Sequence, residues 1–349
     1  MHILVTGGAG FVGSHLAEHF GRLGHKVTII DNFSRNKMLG VGIESRHNLD
    51  YLKKQGLPVS LLEGDVRDFE FLRKNVPDVD AIAHTAAQVA VTSSLKNPRE
   101  DFEVNALGTF NVLELARLSD CAVALCSTNK VYGENVNSIP VAEKTTRYEF
   151  ADERYREGIS EGFPIDNCGH SPYGCSKTSA DLYAQDYAHT YGLRTAVFRM
   201  SCIYGERQLG IEDQGWVAWF AIASQLGIPI TIYGDGKQVR DVLHVSDLTR
   251  AFELFLTKKV PSCVLNIGGG PSNTLSLLEL LTLLKAKTKM RYDKWRAADQ
   301  KVYISDIREA KKALGWSPEV SPSEGIARLS RWVSDNSDIC RTIAQVKVA

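Results

Sequence analysis

The stretch SPYGCSK, residues 171–177, carries a phenol and an amine four residues apart. Ser171 reads as a helix N-cap and Pro172 suits the first helical turn. Tyr173 and Lys177 then fall at i and i+4 on one helical face. An ammonium beside a phenol stabilises phenolate and is expected to lower the tyrosine pKa toward neutrality. Such a tyrosine can take a proton from a hydroxyl while a hydride leaves the same carbon. A second stretch, STNKVYG (127–133), follows the apolar run CAVALC. It places the hydroxyl of Thr128 at the end of a buried strand. The combined chemistry is oxidation of an alcohol, if a hydride acceptor is held nearby. A Tyr-x-x-x-Lys spacing is common by chance, so its weight depends on the rest of the chain.

A site for that acceptor opens the chain. TGGAGFVG (6–13) stands between a strand-like and a helix-like run, with glycines at 7, 10 and 13. Gly7 suits a tight turn, and Gly10 lets the backbone approach a pyrophosphate. Gly13 lets the helix pack closely, with its N-terminal N–H groups toward the phosphates. The strand–loop–helix context gives the motif its weight. Asp31 ends the next strand, eighteen residues after Gly13. A carboxylate there accepts from ribose hydroxyls and repels a 2′-phosphate, favouring NAD over NADP. Arg35 lies close enough to work against that preference. Asp65, in GDVRD, is placed either to receive an adenine amino group or to cap a helix.

Positioning these groups takes a sheet. HILVTG, KVTIID, VSLLEGD, AIAHTAA, CAVALCS and TAVFRMS are short apolar runs separated by helical stretches such as NALGTFNVLELARLS. This alternation predicts an α/β fold with a Rossmann-type, doubly wound parallel sheet. Beyond residue 200 the segments become short and glycine-punctuated, as in IYGERQLGIEDQG and LNIGGGPSN. The expected division is an NAD-binding domain over 1–200 and a smaller, partly discontinuous substrate-binding lobe over 201–349. Some segments of the lobe are expected to return to the first domain. Residues 144–170 are polar and irregular, a functional insertion or a passive surface excursion.

Composition narrows the function classes. Lys plus Arg and Asp plus Glu are both 41, which argues against a nucleic-acid or anionic-membrane surface. No apolar run approaches the roughly 18 residues of a membrane span. The chain enters HILVTGGAG directly from Met1, so a cytoplasmic protein is expected. The seven cysteines include no Cys-x-x-Cys pair and read as reduced thiols. No histidine cluster has metal-ligand spacing, and no metal is expected.

At TGGAGFVG, DN (31–32), GDVRD, HTAAQ, STNKVYG, Tyr173 with Lys177, YGDGKQVRDVLHVSD and ADQKVYISD, the chain resembles the extended short-chain dehydrogenase/reductase family of nucleotide-sugar epimerases and dehydratases. The resemblance implies a catalytic triad of Thr128, Tyr173 and Lys177. It implies NAD held by Gly7, Gly10, Phe11, Val12, Asp31, Asn32, Asp65, Val66, Ala86, Ala87, Asn105, Tyr173 and Lys177. It also implies a nucleotide-sugar substrate and a homodimer formed through the Tyr173 helix and a helix near 101–119. The stretch ADLYAQDYAHTYG has apolar residues on more than one side, which fits two buried faces. STNKVYG, RYEFAD, SPYGCSK, DQGWVAWF and GDGKQVRDVLH further resemble the CDP-paratose 2-epimerase subfamily. That implies oxidation of a sugar at C2 by bound NAD, then return of the hydride to the opposite face.

Substrate contacts are expected from Gln88, Thr128, Asn129, Arg207, Gln208, Gln214, Arg240 and Arg296. Arg240 and Arg296, from distant segments, suit a diphosphate clamp. The resemblance places Arg240 at the substrate phosphates. For Arg296 a surface salt bridge is the competing reading. Trp216, Trp219 and Phe220 have helical spacing and are expected in the core. Many family members carry Asn near Cys202, and a thiol cannot replace it as a strong donor. Where the family's 4,6-dehydratases place Asp-Glu after the catalytic threonine, this chain has Asn129 and Lys130, so elimination chemistry is not expected. Two other functions fit the same residues: a 4-epimerase that seats the sugar differently, and a non-catalytic NAD-binding sensor. The Tyr–Lys pair counts against the sensor.

Overall fold

The computed structural model describes residues 1–35, 46–296 and 299–345. Seven strands form one sheet: β1 (His2–Thr6), β2 (Lys26–Asp31), β3 (Val59–Glu63), β4 (Ala81–His84), β5 (Ala122–Thr128), β6 (Thr195–Met200) and β7 (Cys263–Ile267). Their order is β7-β6-β5-β4-β1-β2-β3, and every pairing is parallel. This is the Rossmann-type sheet that the alternating pattern predicts. Six strands are the apolar runs read from the sequence. The seventh lies in the stretch assigned to the lobe and adds to β6 in register from Cys263 against Ala196 to Ile267 against Met200.

The strands are apolar throughout because both faces are covered. Ile3, Val5 and Ile29 pack on one face with Leu16, Phe20 and Phe252, while Leu4 and Ile82 pack on the other with Val112, Leu113 and Ala180. The principal helices are α1 (Phe11–Arg22), α2 (Gly108–Ser119), α3 (Ser171–Tyr191), α4 (Trp216–Leu226) and α5 (Val245–Thr257). α1 and α5 cover the first face, and α2 and α3 the second. Strand order reverses between β1 and β4. The crevice beyond their carboxyl ends is where such sheets bind ligands.

A second sheet joins Cys202–Tyr204, Val239–His244, Thr274–Ser276 and Val302–Tyr303. It shares a core with α4 and the helix Pro322–Asp335. Residues 144–170 link the two sheets. Tyr148–Phe150 pairs with Val141–Glu143 as a hairpin. Arg147 pairs with Glu279 at 2.7 Å, and Tyr148 donates to Asp235 at 2.5 Å. Ile159 bridges Ser305 in parallel. These contacts tie the segment to the lobe, and Glu161, which accepts from the Asn266 N–H of β7 at 2.7 Å, ties it to the central sheet.

Candidate active site

A cavity of about 450 Å³ opens at the β1–β4 crevice and runs to the start of α4. The glycine turn makes its floor. Gly7 holds φ of +68°, and a Cβ there would come within 2.8 Å of the Ala86 backbone. A Cβ on Gly13 would sit 2.2 Å from the Gly7 carbonyl, so only glycine lets α1 approach the turn. Asp31 accepts from the N–H groups of Ala9 and Phe33, each at 2.9 Å. Burial nonetheless pushes its carboxyl up. Asn32 donates to Asp65 at 2.8 Å. Burial raises the Asp65 carboxyl, but bonds from Arg67 outweigh it and hold the group below the usual range. The helix that follows is capped by Asp68, so Asp65 is free of that role.

The triad residues converge at the other end of the crevice. Thr128 ends β5, and Tyr173 lies in the first turn of α3. Both line the cavity, with the Thr128 hydroxyl near enough to the phenol to act on its pKa. The helix begins at Ser171 itself, with His170 at the cap position where Ser171 was expected; Ser171 Oγ accepts from the Gly174 N–H at 3.4 Å, and Ser171 holds φ of +63°. Lys177 is buried one turn further along and donates to the Cys126 carbonyl at 2.5 Å. The expected lowering of the Tyr173 pKa is not found. Burial pushes the phenol up to about 12, and the nearby Thr128 hydroxyl offsets only part of this. The cause is desolvation of phenolate, with the Lys177 ammonium engaged by a carbonyl instead of the phenol. Burial also lowers the Lys177 pKa.

Behind the triad, α3 is cross-linked to the sheet. Asp181 accepts from Ser127 at 2.7 Å and from Arg199 at 2.9 and 3.1 Å. Asp181 and Arg199 are both buried. Removing one partner of such a pair costs roughly 3–5 kcal/mol. Ser127 directly precedes Thr128, so this link fixes the strand end against the helix that carries Tyr173.

Of the residues named from the sequence, Gly7, Gly10, Phe11, Val12, Asp31, Asn32, Asp65, Val66, Ala86 and Ala87 line the cavity, as do Thr128, Tyr173, Gln208 and Gln214. Others stand back from it. Asn105 accepts from the Gln88 N–H at 2.9 Å and donates to Asp101 and Ser176, so it braces the wall from behind. The Gln88 amide is taken up by Ala90 and Asp101. Asn129 is buried beside Thr128, whose hydroxyl donates to it at 3.3 Å. Arg207 is turned to α1, paired with Glu18 at 2.8 Å and 4.1 Å above the Tyr51 ring. Arg240 pairs with Asp299 at 2.5 Å. Arg296 pairs with Asp213 at 2.8 Å and lies 4.0 Å above the Tyr233 ring.

Trp219 and Phe220 are core residues as expected, and Trp216 is half-buried, packing against the same core at its edge. It faces the cavity and donates its indole N–H to Cys202 Sγ at 3.3 Å. Arg35, weighed above for its effect on the NAD preference, lines the cavity, as do His47, Asn48 and Ile343, which were not read as candidates. They come from separate segments, and no local motif marks them. Arg35 donates to the Leu209 carbonyl at 2.7 Å, joining the end of the cofactor strand to the lobe. Among the described residues no cluster of His, Cys, Asp and Glu could hold a metal ion, and no helix is long and apolar enough to cross a membrane.

The residues of the crevice fit a dinucleotide. The glycine turn gives backbone access, Asp31 and Asn32 present acceptors, and Asn48 Oδ1 and Gln208 Oε1 are buried without partners beside the cavity. Residues 4–329 match the GDP-mannose 4,6 dehydratase family. The chain is 41% identical to a CDP-paratose 2-epimerase of Salmonella typhi, over 96% of this chain and 99% of that protein. It is similar to the structure of the Thermotoga maritima UDP-glucose 4-epimerase with UDP-glucose, at TM-score 0.79 and 28% identity, covering 97% of this chain and 100% of that one. It is also similar to the Thermus thermophilus UDP-glucose 4-epimerase in complex with NAD, at TM-score 0.75 and 29% identity, covering 98% and 99%.

Proposed function

The chain belongs to the GDP-mannose 4,6 dehydratase family of NAD-dependent nucleotide-sugar enzymes, and from that premise we propose that it epimerises a CDP-hexose at C2. CDP-paratose and CDP-tyvelose are the first candidates, with CDP-glucose a related one. The carrying observation is that Thr128 and Tyr173 line one cavity at the dinucleotide crevice, with Asn129 and Lys130 where elimination would need carboxylates. The 41% identity to a CDP-paratose 2-epimerase supports C2 and cytidine.

NAD would be held by the glycine turn, Asp31 and Asn32, and when bound it supplies hydride acceptance, hydride return and a positive charge at the nicotinamide. The chain's own residues handle the proton. Thr128 orients the sugar hydroxyl toward Tyr173, which takes its proton and later returns it. Phenolate is costly in this buried site, so Tyr173 is a poor base until positive charge arrives beside it. Lys177, whose ammonium donates to the Cys126 carbonyl, would hold a ribose hydroxyl in this reading. The sugar must turn over between the two half-reactions, and arginines of the lobe would keep the diphosphate in place meanwhile.

A homodimer and a cytoplasmic location complete the reading. Phe102, Leu107, Leu182 and Tyr183 are exposed apolar residues on or beside adjoining helices, which suits a face covered by a second copy. The 4-epimerase reading keeps support from the likeness to UDP-glucose 4-epimerases. NMR product analysis with CDP-paratose, CDP-tyvelose, CDP-glucose and UDP-glucose in parallel decides between them. Inversion at C2 of a CDP-sugar is expected; inversion at C4 of UDP-glucose alone overturns the proposal.

A further inference from the structure

The lobe meets the cofactor crevice through residues 205–215, the loop between the strand Cys202–Tyr204 and α4. One side of this loop faces inward. Gln208, Leu209, Gln214 and Gly215 line the same cavity as the glycine turn, the start of α1, Asp31 and Arg35. A dinucleotide laid along the turn and Asp31 therefore lies under the loop.

The other side of the loop is fastened down. At its root Glu206 meets His244 Nε2 at 3.0 Å. Arg207 holds φ of +62°, a strained conformation for a residue with a side chain. Its guanidinium meets Glu18 of α1 at 2.8 Å and lies 4.1 Å above the Tyr51 ring. Tyr51 donates to the same carboxylate at 2.9 Å. The Leu209 carbonyl accepts from Arg35 at 2.7 Å. Leu209 and Ile211 pack with Ile343 of the helix Ser337–Ala344, and Ile343 is itself in the cavity wall. The fastenings thus land on the two elements that would hold the cofactor. α1 starts at the glycine turn with Phe11 and Val12 in the cavity wall, and Arg35 follows Asp31 just past the end of β2. Lifting the loop breaks two charge-assisted hydrogen bonds and exposes Leu209 and Ile211.

We propose that residues 205–215 are a strap that keeps NAD in the crevice from one turnover to the next, fastened by Arg207 to Glu18 and by Arg35 to Leu209; the inference rests on the dinucleotide reading of the crevice. A reaction that reduces and reoxidises the same NAD never needs to release it, so a strap closed over the cofactor does not slow turnover. Arg207, expected from the sequence at the substrate, is then a positioning residue that acts on the cofactor through the loop.

The test is release of NAD from the protein as purified, chased with excess deuterated NAD and read by mass spectrometry of the bound fraction. Glu18 and Ile211 do not line the cavity, so they reach the cofactor only through the strap. Glu18→Gln should release NAD roughly 10- to 100-fold faster than wild type. Ile211→Ala should release it roughly 10-fold faster. Glu253→Gln is the control. It breaks a second ion pair of α1, His19 with Glu253 at 2.7 Å, which ties α1 to α5 and not to the loop. It should release NAD at the wild-type rate. If Glu18→Gln fails to fold, Ile211→Ala decides against the same control. Release at the wild-type rate in either variant, or equally fast release in Glu253→Gln, overturns the strap and leaves the cofactor reading standing. A wild-type protein that carries no NAD and binds none overturns both.

Discussion

The two ends of the cavity are built differently. The cofactor end is main chain: a glycine turn, the ends of β1, β2 and β4, and N–H groups that accept no substitute. The proposed substrate side has charged side chains from distant segments that stand back from the cavity lining, each meeting a carboxylate: Arg207 with Glu18, Arg240 with Asp299 and Arg296 with Asp213. Backbone sites are rigid and pre-formed. Side-chain clamps must share or exchange partners when an anion enters, which suits a substrate that turns over while its diphosphate stays in place.

The largest test of this contrast lies at the junction. Tyr173→Phe should lower kcat by roughly 10²- to 10⁴-fold and leave NAD content and nucleotide affinity intact, as read by turnover and by absorbance of released cofactor. Gly13→Ala attacks the backbone end alone. Its methyl would meet the Gly7 carbonyl at 2.2 Å, so the protein should lose bound NAD and about 1–3 kcal/mol of stability in denaturant titration.

Arg240→Met attacks the other end. It should weaken nucleotide binding roughly 10- to 100-fold by calorimetry while NAD content stays full. If cofactor were lost as well, the two ends would not be separable. The smallest effect concerns acid stability of the lobe. Burial raises the Glu206 carboxyl, but the His244 bond at 3.0 Å outweighs it and holds the group at about 2. A depressed carboxyl stabilises the fold above its ordinary pKa of 4.5 and loses that contribution as pH falls toward 2. Glu206→Gln should therefore be less stable by about 1 kcal/mol at pH 7, with the gap from wild type closing below pH 4 in thermal melts.

The same contrast explains what was legible in the sequence. The glycine turn, Asp31 and the Tyr173–Lys177 spacing are contiguous, and local geometry carries their meaning. β7 was hidden because a five-residue apolar run does not reveal which sheet it joins. Asp181 and Arg199 were passed over because their pairing exists only once α3 lies on β6. Trp216 shared its helical spacing with two core residues, and only the position of Cys202 turns it to the cavity. Gln88 and Asn105 sit in motif positions yet bond to each other behind the wall. The Tyr173 pKa was misjudged because spacing shows that an ammonium is near but not which acceptor it takes.

The central claim is reversible oxidation at one sugar carbon, carried out by Thr128 and Tyr173 without proton abstraction from carbon. Incubating the protein with CDP-paratose and CDP-tyvelose in deuterated water tests it most directly, with NMR and mass spectrometry of the products. The account predicts interconversion at C2 with no solvent deuterium on that carbon. Deuterium at C2, or accumulation of a 4-keto-6-deoxy sugar from CDP-glucose, would contradict it.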